Sequence, residues 1–225
     1  MTLIQKSKDI YVDDSFNSVL PNIDSIIFDC DGVLIDITKS YDQTIITTTK
    51  YILETLAKIT DSIDVNFKII DGFKSTGGFN DEVDLTYAAI LSIIAAKKLK
   101  KDQTEFIFNV IKNSDSTGIK SVENFLKNQT DISEIINKLS YPGSHKKNIL
   151  YQTFDQLFYG PKLYSKLFQN PSKFSEPGLI ENDHVILNHN LFIISEISVC
   201  FFRKFSTDFI PVESEFFITL KINSV

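Results

Sequence analysis

One short stretch constrains the fold of this chain more than any other, the segment from Ile26 to Asp36, which reads Ile-Ile-Phe-Asp-Cys-Asp-Gly-Val-Leu-Ile-Asp. Its apolar part, with β-branched residues and an acidic boundary, predicts a buried strand of a parallel sheet. Asp29 and Asp31 follow that strand two residues apart, at the edge of an open α/β sheet where ligands bind. Side chains two apart point to the same side of an extended chain. Gly32 then allows a tight turn.

The charge of this aspartate pair indicates its chemistry. Two close carboxylates repel each other, so the arrangement favours a hard cation with oxygen ligands, typically Mg²⁺. Once the charge is neutralised, one carboxylate can attack a phosphoryl group and the other can protonate the leaving oxygen. A calcium-binding EF-hand loop starting at Asp29 fits worse, because Val33 stands where that loop needs an acid or amide. A glycosyltransferase Asp-x-Asp motif stays open as an alternative.

Downstream of the motif the hydrophobic period changes to that of helices. Apolar residues between 40 and 60 recur at helical spacing. Residues 72–81 predict a glycine-containing loop, and Asp81 predicts the N-cap of a strong helix over 83–99. Further helices are predicted at about 103–113, 119–128, 131–139 and 145–159, with an Asp131–Glu134 capping box on the third and a stop at Gly160-Pro161 on the last. The block 40–168 is therefore predicted to be all-helical.

The end of the chain differs in composition. Residues 191–225 hold seven of the 19 phenylalanines and contain no glycine and no tyrosine. The segments Leu-Phe-Ile-Ile-Ser, Ile-Ser-Val-Cys-Phe-Phe and Phe-Phe-Ile-Thr-Leu-Lys-Ile predict strands.

The aspartate motif resembles the first motif of the haloacid dehalogenase superfamily, strand-Asp-x-Asp-Gly-(Val/Thr)-Leu-x-Asp. The resemblance implies an α/β fold with a Rossmann-like core, Mg²⁺ as cofactor, and a phosphatase that acts on a small organic phosphate. It implies Asp29 as the nucleophile that becomes an aspartyl-phosphate. It implies Asp31 as the general acid/base, and both aspartates as metal contacts. Asp36 would shape the segment that leads into the next domain. A phosphomutase of the same branch would differ only in what attacks the aspartyl-phosphate.

The helical block resembles the C1 cap of subfamily IA, the phosphoglycolate phosphatase and β-phosphoglucomutase branch. The loop from Phe73 to Thr86 is similar to the cap loop that faces the active site there, and to an archaeal-type subgroup pattern, Lys-x-x-Gly-Gly-Phe-Asn-(Asp/Asn)-x-x-Asp-Leu-Thr. The resemblance implies four substrate-binding residues, with Lys74 at the phosphate and a polar group of the substrate at one of the last two: Lys74, Gly78, Asn80 and Asp81. Some members of that subgroup are associated with histidine biosynthesis, which makes histidinol phosphate a candidate substrate. The implied domains are 1–39 as the first part of the core, 40–175 as the cap, and 176–225 as the remaining core and an atypical tail.

The later family motifs are hard to find in this sequence. The family has a Ser or Thr, a Lys and an acidic pair after the cap. The candidates are Ser195 or Thr207 for the first, Lys204 or Lys221 for the second, and Asp208, Glu213 and Glu215 as poor substitutes for the third. We therefore expect an incomplete core, truncated after the cap, with a frameshift or truncation from about residue 191 as one hypothesis. The alternative function is a catalytically impaired remnant that serves as a helical binding or interaction module, or has no role.

Composition excludes several other classes. The net charge of −6 comes without a long basic run, which disfavours nucleic-acid binding. No apolar run reaches the ~18 residues of a membrane span, and the start lacks the apolar region of a signal peptide, so a cytoplasmic location with no membrane partner is expected. Simpler structural roles also stay open: Asn80 and Asp81 as helix caps, Lys74 as a solvated lysine, and the three histidines as surface or loop residues.

Overall fold

The computed structural model describes residues 3–8, 10–13, 15, 25–28, 31–186, 197–203 and 216–222. The chain divides into two compact units. The helical unit comprises residues 37–184, and the strand unit comprises residues 1–36 together with 185–225.

The strand unit is built from short strand pairings. Its strands are β1 (Leu3–Ser7), β2 (Ile10–Asp13), β3 (Ser25–Phe28) and β4 (Ile35–Asp36), and after the helical unit β5 (His184–Val185), β6 (Ile197–Arg203) and β7 (Phe216–Ile222). Strand β1 pairs with β2, β4 pairs with β5, and a three-stranded sheet has the order β3-β7-β6. Strands β6 and β7 confirm two of the three strands predicted near the end of the chain. The third, over 191–195, lies outside the described residues.

The prediction that β3 belongs to a parallel sheet is wrong for the described strands. β3 pairs antiparallel with β7, with Ser25 opposite Lys221 and Phe28 opposite Ile218. β6 also pairs antiparallel with β7. A short apolar run predicts that a strand forms, but it carries no information about the direction of its partner. The described strands therefore do not form the predicted Rossmann-like core. The largely helical chain with a small sheet does agree with the expectation of strands combined with a block of helices.

The helical unit begins with a π-helical turn and ends with a 3-10 turn. Its elements are the π-helical turn Thr38–Asp42, α1 (Gln43–Thr55), α2 (Phe67–Lys74), α3 (Glu82–Leu99), α4 (Gln103–Lys112), α5 (Ile119–Lys127), α6 (Ser133–Leu139), α7 (Ile149–Phe168) and the 3-10 turn Leu179–Asn182. The predicted helix at 83–99 is confirmed as α3. No helix in the described part of the chain combines the length and apolarity needed to cross a membrane.

Helix α3 forms the centre of the helical unit. Every residue from Leu85 to Ala96 is buried, and α1, α4 and α5 pack against it. A helix that is apolar around its whole circumference is stable only when neighbours cover all of its faces. The alanines at 88, 89, 95 and 96 allow those neighbours to approach closely.

Helix boundaries differ from the prediction at several places. The predicted Asp131–Glu134 capping box does not form, because α6 begins at Ser133 with Ile132 as its N-cap residue. Helix α2 was missed, because its last residues fall in the stretch predicted as a loop. Asn66 caps it by accepting the N–H of Ile69 at 3.3 Å, and Ile69, Ile70 and Phe73 supply the buried face. In α7 the predicted stop at Gly160 interrupts the helix without ending it. Gly160 has φ 68° and ψ 171°, and the helix resumes at Pro161, a residue suited to the first helical position.

Asn148 is the residue that sets the start of α7. Its side-chain oxygen accepts the N–H of Leu150 at 2.8 Å and of Tyr151 at 3.4 Å. Its amide donates to the carbonyls of Leu139 at 2.7 Å and Ser140 at 3.0 Å. One buried side chain therefore joins the end of α6 to the beginning of α7.

We expect Asn148→Ala to lower the free energy of unfolding by about 2 kcal/mol, because it removes a helix cap and leaves buried carbonyls without their donor. Urea unfolding followed by circular dichroism measures this change. The matched control is Asn128→Ala on the exposed end of α5, for which a change within about 0.5 kcal/mol is expected. Equal losses in the two variants would contradict the role given to Asn148.

Candidate functional site

Of the pair Asp29 and Asp31, the structure describes Asp31, which lies in the strand unit. Asp31 is exposed and forms an isolated parallel bridge with Ile35. The N–H of Gly32 donates to the carbonyl of Ile35 at 2.8 Å, and Gly32 has φ 75°. The tight turn predicted directly after Asp31 is thus confirmed. Glycine suits this position because other residues rarely adopt a positive φ.

The other residues predicted for the reaction centre are not among the residues that the structure describes. Asp29 and Ser195 lie outside the described residues, as do the alternatives Thr207 and Lys204. Asp31 offers the hard oxygen donor that Mg²⁺ prefers. Within the described ranges, however, no group of three or more His, Cys, Asp or Glu side chains is placed to hold a metal ion. The metal site therefore stays a prediction that rests on Asp29 and Asp31.

Lys74 lies at the end of α2, in an ion pair. Its Nζ is 3.3 Å from Oε1 of Glu82, whose side chain is only 11% exposed. Asp42 lies close enough for both charges to act on it: burial raises the pKa of Asp42, Lys74 lowers that pKa, and Glu82 raises it. Lys74 is therefore a partly compensated cation between two carboxylates of the helical unit.

Gly78 is placed where two backbone segments touch. A Cβ at residue 78 would lie 2.5 Å from the carbonyl oxygen of Asp115 and 2.6 Å from the backbone nitrogen of Gly118. The neighbouring Phe79 is fully buried and meets the ring of Phe73 at 5.0 Å. Asn80 is exposed. The contacts of Gly78 therefore give it a packing role, in addition to whatever role it has toward a substrate.

Asp81 caps α3 as the sequence predicts. Its Oδ1 accepts the N–H of Val83 at 2.7 Å and of Asp84 at 3.3 Å. Its negative charge also reaches beyond the cap, because it raises the pKa of both Asp84 and Asp155. The structural role alone accounts for the presence of an aspartate at this position.

A group of aromatic and acidic side chains surrounds this helix start, and sequence analysis missed most of it. We call it the tyrosine–carboxylate cluster: Asp81, Asp84, Tyr141, His145, Tyr151 and Asp155. The hydroxyl of Tyr141 donates to Oδ1 of Asp84 at 2.6 Å. Burial is the main cause that raises the pKa of Asp84, and the charge of Asp81 adds to it, while the hydrogen bond from Tyr141 acts in the opposite direction.

His145 and Asp155 form the most enclosed part of the cluster. Nε2 of His145 is 3.6 Å from Oδ2 of Asp155, and the two side chains are 20% and 14% exposed. The imidazole lies 4.3 Å from the ring of Tyr151. Burial raises the pKa of Asp155 to about 7, and burial lowers the pKa of His145. His145 lies in the segment between α6 and α7, which agrees with the expectation of a surface or loop residue, but its side chain is largely covered.

The cluster could not have been recognised from spacing. Its members come from the start of α3, from the segment between α6 and α7, and from α7 itself, so no short motif contains them. Chemically, it combines two carboxyl groups whose pKa burial raises, those of Asp84 and Asp155, with an imidazole whose pKa burial lowers. The predicted substrate-binding residues Lys74, Gly78, Asn80 and Asp81 all lie in the helical unit, between the end of α2 and the start of α3.

No family model matches the chain, and no curated protein matches it. Among solved structures the chain is similar to the phosphatase Tt82 from Thermococcus thioreducens, with 20% sequence identity and a TM-score of 0.47. The match covers 72% of this chain and 54% of the phosphatase, so this chain spans about half the length of that protein.

Proposed function

We propose that the chain is a Mg²⁺-dependent phosphatase that hydrolyses a small organic phosphate through an aspartyl-phosphate. The observation that carries the proposal is the turn at Asp31. An acidic residue follows closely after strand β3, Gly32 closes the turn through its bond to Ile35 at 2.8 Å, and a compact helical unit begins at residue 37. This arrangement agrees with the order of elements that the aspartate motif implies.

In this proposal each residue has a distinct task. A carboxylate oxygen of Asp29 attacks the phosphorus atom, and the bond from phosphorus to the ester oxygen breaks as Asp31 donates a proton to that oxygen. Asp31 then accepts a proton from water, which attacks the phosphorus and releases Asp29 and phosphate. Bound Mg²⁺ would neutralise the negative charge of the phosphoryl group and the carboxylates. Ser195 would be a further contact of the phosphoryl group, and Lys74 stays a predicted substrate-binding residue.

The test is hydrolysis of an aryl phosphate by the full chain with Mg²⁺ and with a chelator. We expect activity that depends on Mg²⁺, and we expect Asp31→Asn to lower it by about a hundredfold or more, the usual effect of losing a general acid/base. Asp29→Asn should remove it entirely, because an amide does not serve as the nucleophile. The matched control is Asp36→Asn, in the same segment but without a role in proton transfer. Activity that survives in Asp29→Asn would contradict the proposal.

Histidinol phosphate is the substrate that we propose to compare first with the aryl phosphate. A higher kcat/KM for histidinol phosphate than for simple aliphatic phosphates would support this choice. Equal values would leave the phosphatase proposal intact and remove this substrate. Transfer of the phosphoryl group to a sugar phosphate instead of water would indicate a phosphomutase.

A second function is favoured by the packing of the helical unit. That unit has its own core around α3, so it has the interior that a binding or interaction module needs, whether or not the strand unit catalyses a reaction. A folded chain without hydrolysis under any of the conditions above would support this alternative.

A further inference from the structure

A cavity of about 340 Å³ lies in the helical unit, away from every residue assigned above to catalysis or substrate binding. It is formed by the segment that follows α1, by the last turns of α3 and by α6. Its size falls within the range of about 300–1,000 Å³ that is typical of small-molecule sites. We call it the lysine-rimmed pocket, because aliphatic side chains and four lysines line it.

The inner wall of the lysine-rimmed pocket is aliphatic. Ile94 and Ile135 belong to the buried core and still line the cavity, so an apolar ligand would contact carbon atoms of the core itself. Partly buried residues complete this wall: Leu56, Ala57 and Ile59. Removing these carbons and those of a ligand from water together is favourable.

The rim carries a net positive charge. Its lysines are Lys58, Lys97, Lys98 and Lys138. Lys97 pairs with Asp61, and Lys138 pairs with Glu134 at 2.7 Å. Lys98 donates to the backbone carbonyl of Asp131 at 2.9 Å. Two of the four lysines are thus ion-paired and a third is held by a carbonyl, which leaves one ammonium in excess of these partners.

Lys58 is the lysine that accounts for this excess. It is exposed, and among residues 31–186 it has no ion pair or side-chain hydrogen bond in the structure. An ammonium at the edge of an aliphatic wall suits a ligand with an apolar body and an anionic end. A single excess charge suits a monoanion better than a doubly charged phosphate.

We propose that the lysine-rimmed pocket binds a small amphipathic anion, an aliphatic chain that ends in one carboxylate. The chain lies against Ile94, Ile135 and Ala57, and the carboxylate accepts hydrogen bonds from Lys58. This inference does not depend on the proposed phosphatase activity, because no residue of the pocket belongs to the predicted site.

The test is isothermal titration of the full chain with octanoate, with octylammonium and octanol as probes of the same length. We expect saturable binding of one octanoate for each chain, weaker binding of octanol and no binding of octylammonium. Lys58→Glu should weaken octanoate binding by at least about tenfold, since a charge-assisted hydrogen bond is lost. The matched control is Lys112→Glu, an exposed lysine on α4, which should leave the binding unchanged.

A second variant tests the apolar wall. Ala57→Trp places a large side chain in the cavity and should abolish octanoate binding, with thermal unfolding used to show that the variant is folded. The proposal is overturned if octanoate does not bind at saturation, if octylammonium binds as well as octanoate, or if Lys58→Glu and Lys112→Glu bind it equally. Binding of an acidic peptide in place of octanoate would likewise overturn it and identify the surface as a protein-binding one.

Discussion

Replacing Gly78 with alanine will lower the free energy of unfolding of the helical unit by about 3 kcal/mol or more. The new Cβ would lie 2.5 Å from the carbonyl oxygen of Asp115 and 2.6 Å from the backbone nitrogen of Gly118. Both contacts are with backbone atoms, which cannot rotate away as a flexible side chain can. Overpacking of side chains alone typically costs about 1–3 kcal/mol, and a backbone clash requires two chain segments to separate.

Gly77 provides the matched control for this experiment. It is the preceding residue, and a Cβ there would meet nothing within 4 Å, although its φ is 78°. Gly77→Ala therefore costs only the strain of a left-handed conformation, about 1 kcal/mol. Urea unfolding followed by the helical circular dichroism signal measures both variants. If Gly78→Ala is no less stable than Gly77→Ala, the close approach of residues 78 and 118 is not as described.

Replacing Asp155 with asparagine will stabilise the chain at pH 8 by about 2–4 kcal/mol and have little effect at pH 4. Burial raises the pKa of Asp155 from 3.8 to about 7, so the folded state holds the proton more tightly than the unfolded state. The stability due to this group is complete below pH 3.8 and is lost as the pH rises through about 7. At about 1.4 kcal/mol for each unit of pKa, a shift of three units gives the upper value.

The measurement for Asp155 is urea unfolding of both proteins at several values between pH 4 and pH 8. His145 has the opposite effect on the pH dependence of stability. Burial lowers its pKa, so the stability that it contributes is lost as the pH falls below 6.5. Both proteins contain His145, whose Nε2 lies 3.6 Å from Oδ2 of Asp155, so their difference reports Asp155 together with this contact. The control variant is Asp71→Asn on the exposed side of α2, for which a stability change within about 0.5 kcal/mol is expected. A difference between wild type and Asp155→Asn that stays constant from pH 4 to pH 8 would contradict the prediction.

Features that depend on neighbouring residues could be predicted from the sequence. Asp81 caps α3 because its side chain reaches N–H groups two and three residues away, and the apolar stretch that follows defines the helix. The turn at Gly32 likewise depends on residues 31 to 35. In both cases a residue type with a known conformational preference stands at the position that needs it.

Features that depend on distant residues could not be predicted. The direction of β3 is set by its pairing with β7, in which Ile27 lies opposite Thr219. No local pattern contains that information. The tyrosine–carboxylate cluster is assembled from α3, from the segment before α7 and from α7, so the pKa of Asp155 depends on burial by residues that are remote in the chain. The role of Gly78 was missed for the same reason, because its partner Gly118 is 40 residues away.

The complete burial of α3 also has a consequence for synthesis of the chain on the ribosome. Of the helices that pack against α3, α1 and α2 precede it, whereas α4, α5 and α7 follow it. When α3 first leaves the ribosome, its apolar surface has only part of its covering, and the rest emerges only after residues 103–168 have been made. Incomplete chains that end in this interval expose the apolar surface of α3, which favours aggregation. The rate at which α4, α5 and α7 are translated therefore sets how long that surface stays exposed on the nascent chain.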